Sequence, residues 1–286
     1  MGFRRLPSAT VALLSTIVGV LAVAPACAQE PRELTVIDAV AALQKGNPKE
    51  AVRLTTELLS AKDPNTSAYW VRAKAYEELS EFGEAVDDYA ALLEHRPADP
   101  QLLNAIGSAA FKNADMARSI EAFDAAIEQE PAQAPHHWQR GISYYYAKRF
   151  EAGEKQFQIH RTVNPQDVEN SVWHFLCAVP LIGTVNARAQ LIPIDNDARV
   201  PMMQIYELFR GKASEADVMA RATEASSDAE RAGQMFFAHL YLGLYHEAYG
   251  RTKLAAEHIA KAVHGYPEGH YMWHVARVHE QIRNAD

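Results

Sequence analysis

Cysteine is nearly missing from this sequence: its 286 residues include only Cys27 and Cys177. Neither CxxC nor HExxH occurs, so the usual spacings of zinc ligands are absent. There is no glycine-rich phosphate loop, no nucleophile elbow and no paired-carboxylate motif. Basic runs are lacking too. With 28 Lys and Arg against 36 Asp and Glu, the formal charge is −8, which argues against nucleic-acid binding through phosphate neutralisation. These absences assign no catalytic residue, no cofactor and no metal site. At 48% hydrophobic and 22% charged, the rest of the composition is that of an ordinary globular chain.

An apolar run from Val11 to Val23 follows Arg4 and Arg5 and leads to Ala26-Cys27-Ala28. It is too short to favour a membrane span, and polar sequence (Gln29, Glu30, Arg32, Glu33) follows at once. This pattern predicts a signal peptide over 1–28, cut after Ala28, and a protein exported to the periplasm or secreted. The cut removes two arginines and no acid, taking the charge to about −10 (−8 − 2). It also leaves Cys177 without a disulfide partner. The alternative is lipid attachment at Cys27, the one route by which a membrane would be a partner. Ala24-Pro25-Ala26 fits that processing motif poorly, because a larger aliphatic residue is expected three positions upstream.

What the chain does have is a period. Pro97, Pro131 and Pro165 are 34 apart (131−97, 165−131), and Ala73, Gly107 and Gly141 keep that interval. So do Ala85, Ser119 and Gly153, and so do Tyr89, Phe123 and Phe157. Four landmarks in one register of 34 are the signature of the tetratricopeptide repeat, or TPR. A helix–turn–helix of that length cannot bury its apolar face alone and stacks on copies of itself. Small residues let backbones approach, the aromatic fills the space between pairs, and proline ends each second helix. The expectation is an all-α TPR solenoid, a right-handed superhelix with a C-terminal capping helix.

In order, residues 29–167 hold about four repeats. The first is weak (Ala39, Ala42 and Ala51, closed by Asp63-Pro64), and Asp99 and Asp167 are placed to cap later helices. Residues 168–235 read as degenerate helical repeats. There Phe175 stands where a small residue belongs, Pro180 is expected to break a helix, and 191–201 is a loop. Gly243 returns to the register 102 residues after Gly141, and 236–286 reads as a C-terminal repeat plus a final helix with Arg277, Glu280, Gln281 and Arg283 outward.

The segments RGISYYYAKRF (140–150), NPQDVENSVWHFLC, RVPMMQIYELF and AHLYLGLYHEA resemble the NlpI-type bacterial TPR lipoproteins and a wider group of secreted or organellar TPR proteins. That resemblance implies an adaptor outside the cytoplasm that brings envelope proteases or cell-wall hydrolases to their substrates. A TPR groove is lined from first helices. The corresponding positions here are Trp70, Lys74, Asn104, Ser108, Phe111, Trp138, Ile142 and Tyr145, with Lys112 beside them. Aromatics mixed with Lys and Asn suit an extended peptide segment, so a protein partner is expected, and a homo-oligomer is compatible with the pattern. The rival is a metal-binding or hydrolytic protein using the irregular 168–235 region and the C-terminal histidines. His239 and His246 sit seven apart, and His270 and His274 four apart. Cys177 reads as a buried, inert thiol.

Overall fold

The computed structural model describes residues 34–267 and 269–285; the leader expected over 1–28, its cut and Cys27 lie outside them. Several helices begin where a side chain can answer the backbone. Asn47 accepts from the N–H of Glu50, Asp99 from Gln101 and Leu102, Asp115 from Arg118 and Asp167 from Glu169. Each bond satisfies a donor that a helix start leaves unpaired.

The helices come as hairpins. They are α1 (Val36–Gln44) with α2 (Pro48–Leu59), α3 (Ser67–Glu78) with α4 (Phe82–His95), α5 (Pro100–Lys112) with α6 (Met116–Gln129), and α7 (Trp138–Tyr146) with α8 (Phe150–His160). Then follow α9 (Val168–Ala189), α10 (Met202–Phe209), α11 (Glu215–Thr223), α12 (Asp228–Ala248), α13 (Thr252–Ala260) and α14 (Tyr271–Ala285). Among the described residues there is no strand, and no helix is long and apolar enough to cross a membrane. The fold is a solenoid of stacked helical hairpins.

Five of the hairpins turn alike. Gly46, Ser80, Ala114, Lys148 and Gly250 all have φ between 57 and 70°. The first four are 34 apart, and the fifth is three periods further on (250−148 = 102). The next residue's N–H then reaches back five positions: Asn47 to Ala42, Glu81 to Tyr76, Asp115 to Ala110, Arg149 to Tyr144 and Arg251 to His246, at 2.8–3.0 Å. This turn ties up carbonyls that a helix end leaves free. In a residue with a Cβ, the left-handed conformation costs about 1–2 kcal/mol. Ala114→Gly is therefore expected to stabilise the chain by about 1 kcal/mol, measured as a raised urea midpoint. An unchanged or lower midpoint would show that no strain is stored there.

Within hairpins, small residues lie under bulky ones. A Cβ added at Gly107 would stand 2.8 Å from the Phe123 ring, at Gly141 2.7 Å from Phe157, and at Gly243 2.7 Å from Ile259. The aromatic fills space inside its own hairpin and also reaches the next one, as the sequence suggested: Phe123 meets His137 edge-on (5.8 Å) and Phe157 stacks on Trp173 (6.5 Å). The other small position also lies at the contact between hairpins. Ser119 Oγ donates to Gly107 O (2.8 Å) and lies 2.9 Å from Ser143 Oγ, while a Cβ on Gly153 would meet Cys177 Sγ at 2.7 Å. Cys177 is fully buried, and that burial pushes its thiol well above its ordinary range.

The irregular region departs from the sequence reading in one respect. Pro180 lies inside α9 on its exposed side, and the helix breaks instead at Gly183, with φ 77° and ψ 160°. Proline's fixed φ is helical, whereas Gly183 adopts a conformation no helix contains. Phe175 meets Phe209 of α10 edge-on, with ring centroids 5.2 Å apart.

The final helix does more than close the end. Tyr271 stacks on Phe111 of α5 (5.4 Å) and meets Trp138 of α7 edge-on (5.2 Å), and His274 meets Phe82 of α4 edge-on (5.3 Å). A polar knot fixes it: Glu247 of α12 accepts from the Tyr145 hydroxyl (2.9 Å) and Arg283 (2.8 Å), and lies 2.9 Å from His279 Nε2. Arg277 and Arg283, expected outward, lie respectively over the Phe82 and Trp273 rings and against Glu247.

Candidate partner-binding surface

The nine residues expected to line a groove divide into three groups. Trp70, Lys74, Asn104 and Ser108, on α3 and α5, are half-buried and keep exposed surface. Lys74 sits over the rings of Trp70 (5.3 Å) and Tyr89 (5.6 Å). Its neighbour Glu77 binds Lys74 (3.1 Å), Lys112 (2.7 Å) and the Tyr89 hydroxyl (2.6 Å). Burial alone would raise the Glu77 pKa, but the Lys112 ammonium, helped by Lys74 and Tyr89, outweighs it and holds the carboxyl near 2. Lys112 is thereby committed inside the protein, its side chain 12% exposed.

Phe111, Ile142 and Tyr145 do not face open groove. They are 0%, 0% and 7% exposed. Phe111 lies against Tyr271 of α14, and the Tyr145 hydroxyl is tied to Glu247 of α12. The C-terminal helices cover the stretch of α5 and α7 where a ligand was expected.

Trp138 belongs to a different feature. A cavity of about 350 Å³ opens beside it, walled by Trp138, Phe157, Trp173, Phe237, His270 and Tyr271. Three of the lining residues hold buried polar atoms without hydrogen-bond partners: both amide atoms of Asn170, Nε1 of Trp173 and the hydroxyl of Tyr271. Asn170 is 3% exposed and Trp173 1%. Leaving such groups unsatisfied costs roughly 1–3 kcal/mol each, so their gathering on one cavity calls for an explanation. As a set they offer donors (Asn170 Nδ2, Trp173 Nε1, Tyr271 OH) and an acceptor (Asn170 Oδ1), the complement of a peptide amide.

Acids line part of the same wall. Arg199 binds Asp167, Glu169 and Asp197, each at 2.6 Å, and His160 Nε2 lies 3.8 Å from Asp167. Burial raises the Glu169 pKa against the pull of Arg199, while the Asp167 pKa is lowered: burial opposes this, but His160 and Arg199 prevail. Sequence reasoning missed Asn170, Trp173, Arg199 and Tyr271. The readable signal was Asn170 itself, an amide in the first turn of a helix that is apolar further along (VENSVWHFLCAV).

Geometry and period now meet a family comparison. The tetratricopeptide repeat model matches residues 39–101, 71–136 and 104–167. Residues 39–167 are tetratricopeptide repeats. Beyond that stretch the likeness is one of fold. A solved TPR protein from Parabacteroides merdae is 14% identical, covers 85% of this chain and 96% of its own, and superposes with a TM-score of 0.54. PilW, described as a widely conserved type IV pilus biogenesis factor, is 15% identical over 84% of this chain and 96% of its own, with a TM-score of 0.43. Pseudomonas aeruginosa pilF is 12% identical over 88% and 96%, with a TM-score of 0.44. The TPR architecture suits protein–protein interaction, through side chains displayed on a rigid array.

Proposed function

We propose that this chain is an exported TPR adaptor that holds a segment of a partner protein and carries out no chemistry itself. The partner's segment runs along the exposed strip of Trp70, Lys74, Asn104 and Ser108 or anchors in the cavity beside Trp138, and the cavity is the stronger element. It would take an apolar or aromatic side chain, with the adjoining backbone amide paired to Asn170 and a basic residue near Asp167 and Glu169. The observation that carries this reading is an aromatic-walled cavity three of whose lining residues hold four unpartnered buried polar atoms. The NlpI-type resemblance adds the class of partner, envelope proteases or cell-wall hydrolases, and the export expected from residues 1–28.

The test begins with affinity capture of the partner on the full chain from native envelope extract, then compares variants. Asn170→Leu removes the amide at similar size. It is expected to weaken the captured partner's binding by roughly tenfold to a hundredfold. The thermal midpoint of the free variant should stay level or rise, because two unsatisfied buried atoms are gone. Trp138→Ala is expected to weaken binding as well. Unchanged affinity in both variants would remove the cavity from the proposal.

A further inference from the structure

The histidines singled out by spacing separate in the fold. His270 lies flat on Phe237 (5.3 Å) and His274 meets Phe82 edge-on, and among the described residues neither joins a group of three ligand atoms. His239 and His246 fare differently. Glu215 of α11, His246 of α12 and His258 of α13 each place one ligand atom within 4.8 Å of the others. His246 Nε2 stands 3.2 Å from Glu215 Oε2, yet this fully buried nitrogen makes no hydrogen bond. Two electron-pair donors side by side and not aimed at each other are arranged as neighbouring ligands of one ion. Bonds of about 2.0–2.1 Å at tetrahedral angles would set such atoms about 3.3 Å apart.

The surroundings are those of a supported site. His239 Nδ1 lies 2.9 Å from His258 Nδ1, a contact that holds the His258 ring in place. Arg251 lies 3.7 Å from Oε1, the other oxygen of Glu215, and leaves Oε2 toward His246.

We propose that Glu215, His246 and His258 form a binding site for a divalent transition-metal ion of the zinc type, with His239 as a positioning residue. Two imidazoles and one carboxylate suit such an ion, whereas magnesium and calcium favour sets made of oxygen. Three protein ligands leave one tetrahedral position for water. The Glu215 side chain is 42% exposed, so that position borders solvent. The ion would tie three successive helices, α11, α12 and α13.

The test uses the full chain stripped with a chelator and titrated with Zn²⁺ by calorimetry, then with Co²⁺ followed by its visible absorption. One Zn²⁺ per chain is expected, with the intense visible bands of four-coordinate Co²⁺ and no saturation by Mg²⁺. Glu215→Gln, a change at a partly exposed position, and His258→Ala are each expected to weaken Zn²⁺ by roughly a hundredfold. Far-UV dichroism of the metal-free variants checks that they fold. His264→Ala, at an exposed histidine paired with Glu280, is expected to bind as wild type. The proposal is overturned if the stripped wild-type chain shows no saturable one-to-one binding. It is equally overturned if Glu215→Gln binds Zn²⁺ as tightly as the wild type.

Discussion

Glu247→Ala is expected to cost about 3–5 kcal/mol of folding stability, the penalty for removing one partner of a buried charge pair. That is a large part of the 5–15 kcal/mol that typically holds a domain together. The carboxylate accepts from Tyr145, lies against His279 and binds Arg283 (2.9, 2.9 and 2.8 Å), and its own side chain is 19% exposed. His279 stands between two partners, its Nε2 2.9 Å from Glu247 and its Nδ1 3.1 Å from the Tyr146 hydroxyl. Removing the carboxylate leaves the buried Tyr145 hydroxyl and the buried His279 ring without that partner. The loss should appear in urea unfolding and as faster amide exchange in α14, because Glu247 joins that helix to α7 and α12.

The same residue sets a pH dependence. Burial would raise the Glu247 pKa, but hydrogen bonds from His279 and Arg283 hold it well below the ordinary value of 4.5. Glu77 is held near 2 by Lys112 and Lys74 against the effect of burial. A carboxyl that is more acidic folded than unfolded stabilises fully above its unfolded pKa and loses that contribution as pH falls toward its folded one. Stability should therefore decline from about pH 4.5 toward pH 2, and less steeply in Glu247→Gln. Equal slopes in the two proteins would show that Glu247 is not the group responsible.

Phe157→Ala is expected to cost about 3–5 kcal/mol, since the ring is 1% exposed and sits directly on Gly141. Gly141→Leu should be costly by itself as well, because its Cβ alone would lie 2.7 Å from that ring and cores resist added volume. Combined, the two changes compensate: the leucine enters the space the ring has left. The double variant should be more stable than the sum of the single changes implies, by about 1–3 kcal/mol. Strict additivity would mean that Gly141 and Phe157, sixteen positions apart, are not a packing pair.

Those residue pairs explain what the sequence made readable. Small and aromatic positions recur because neighbouring helices must approach and then fill the gap, so composition at fixed spacing reports the hairpin. Asp99 and Asp167 announced helix starts because a capping oxygen acts within three residues. The left-handed turns at Ser80, Ala114 and Lys148 were not readable, because their usual marker, glycine, is absent there. Phe111, Ile142 and Tyr145 were assigned to the correct helices, but what covers them comes from far along the chain: Tyr145 meets Glu247 102 residues later. The cavity stayed hidden for the same reason, since its wall draws on α7, α8, α9, α12 and α14. So did the Glu215–His246–His258 cluster, in which spacing related His239 to His246 and nothing related either to Glu215.

The most direct test is the indole spectrum of the chain labelled with ¹⁵N-tryptophan, recorded with and without the captured partner. Four tryptophans are present; Trp138 and Trp173 wall the cavity, while Trp273 Nε1 donates to Val263 O at 3.2 Å. If a partner segment occupies the cavity, the Trp138 and Trp173 indole signals will shift and that of Trp273 will stay in place. Saturated partner binding with both cavity indoles unmoved would contradict the account.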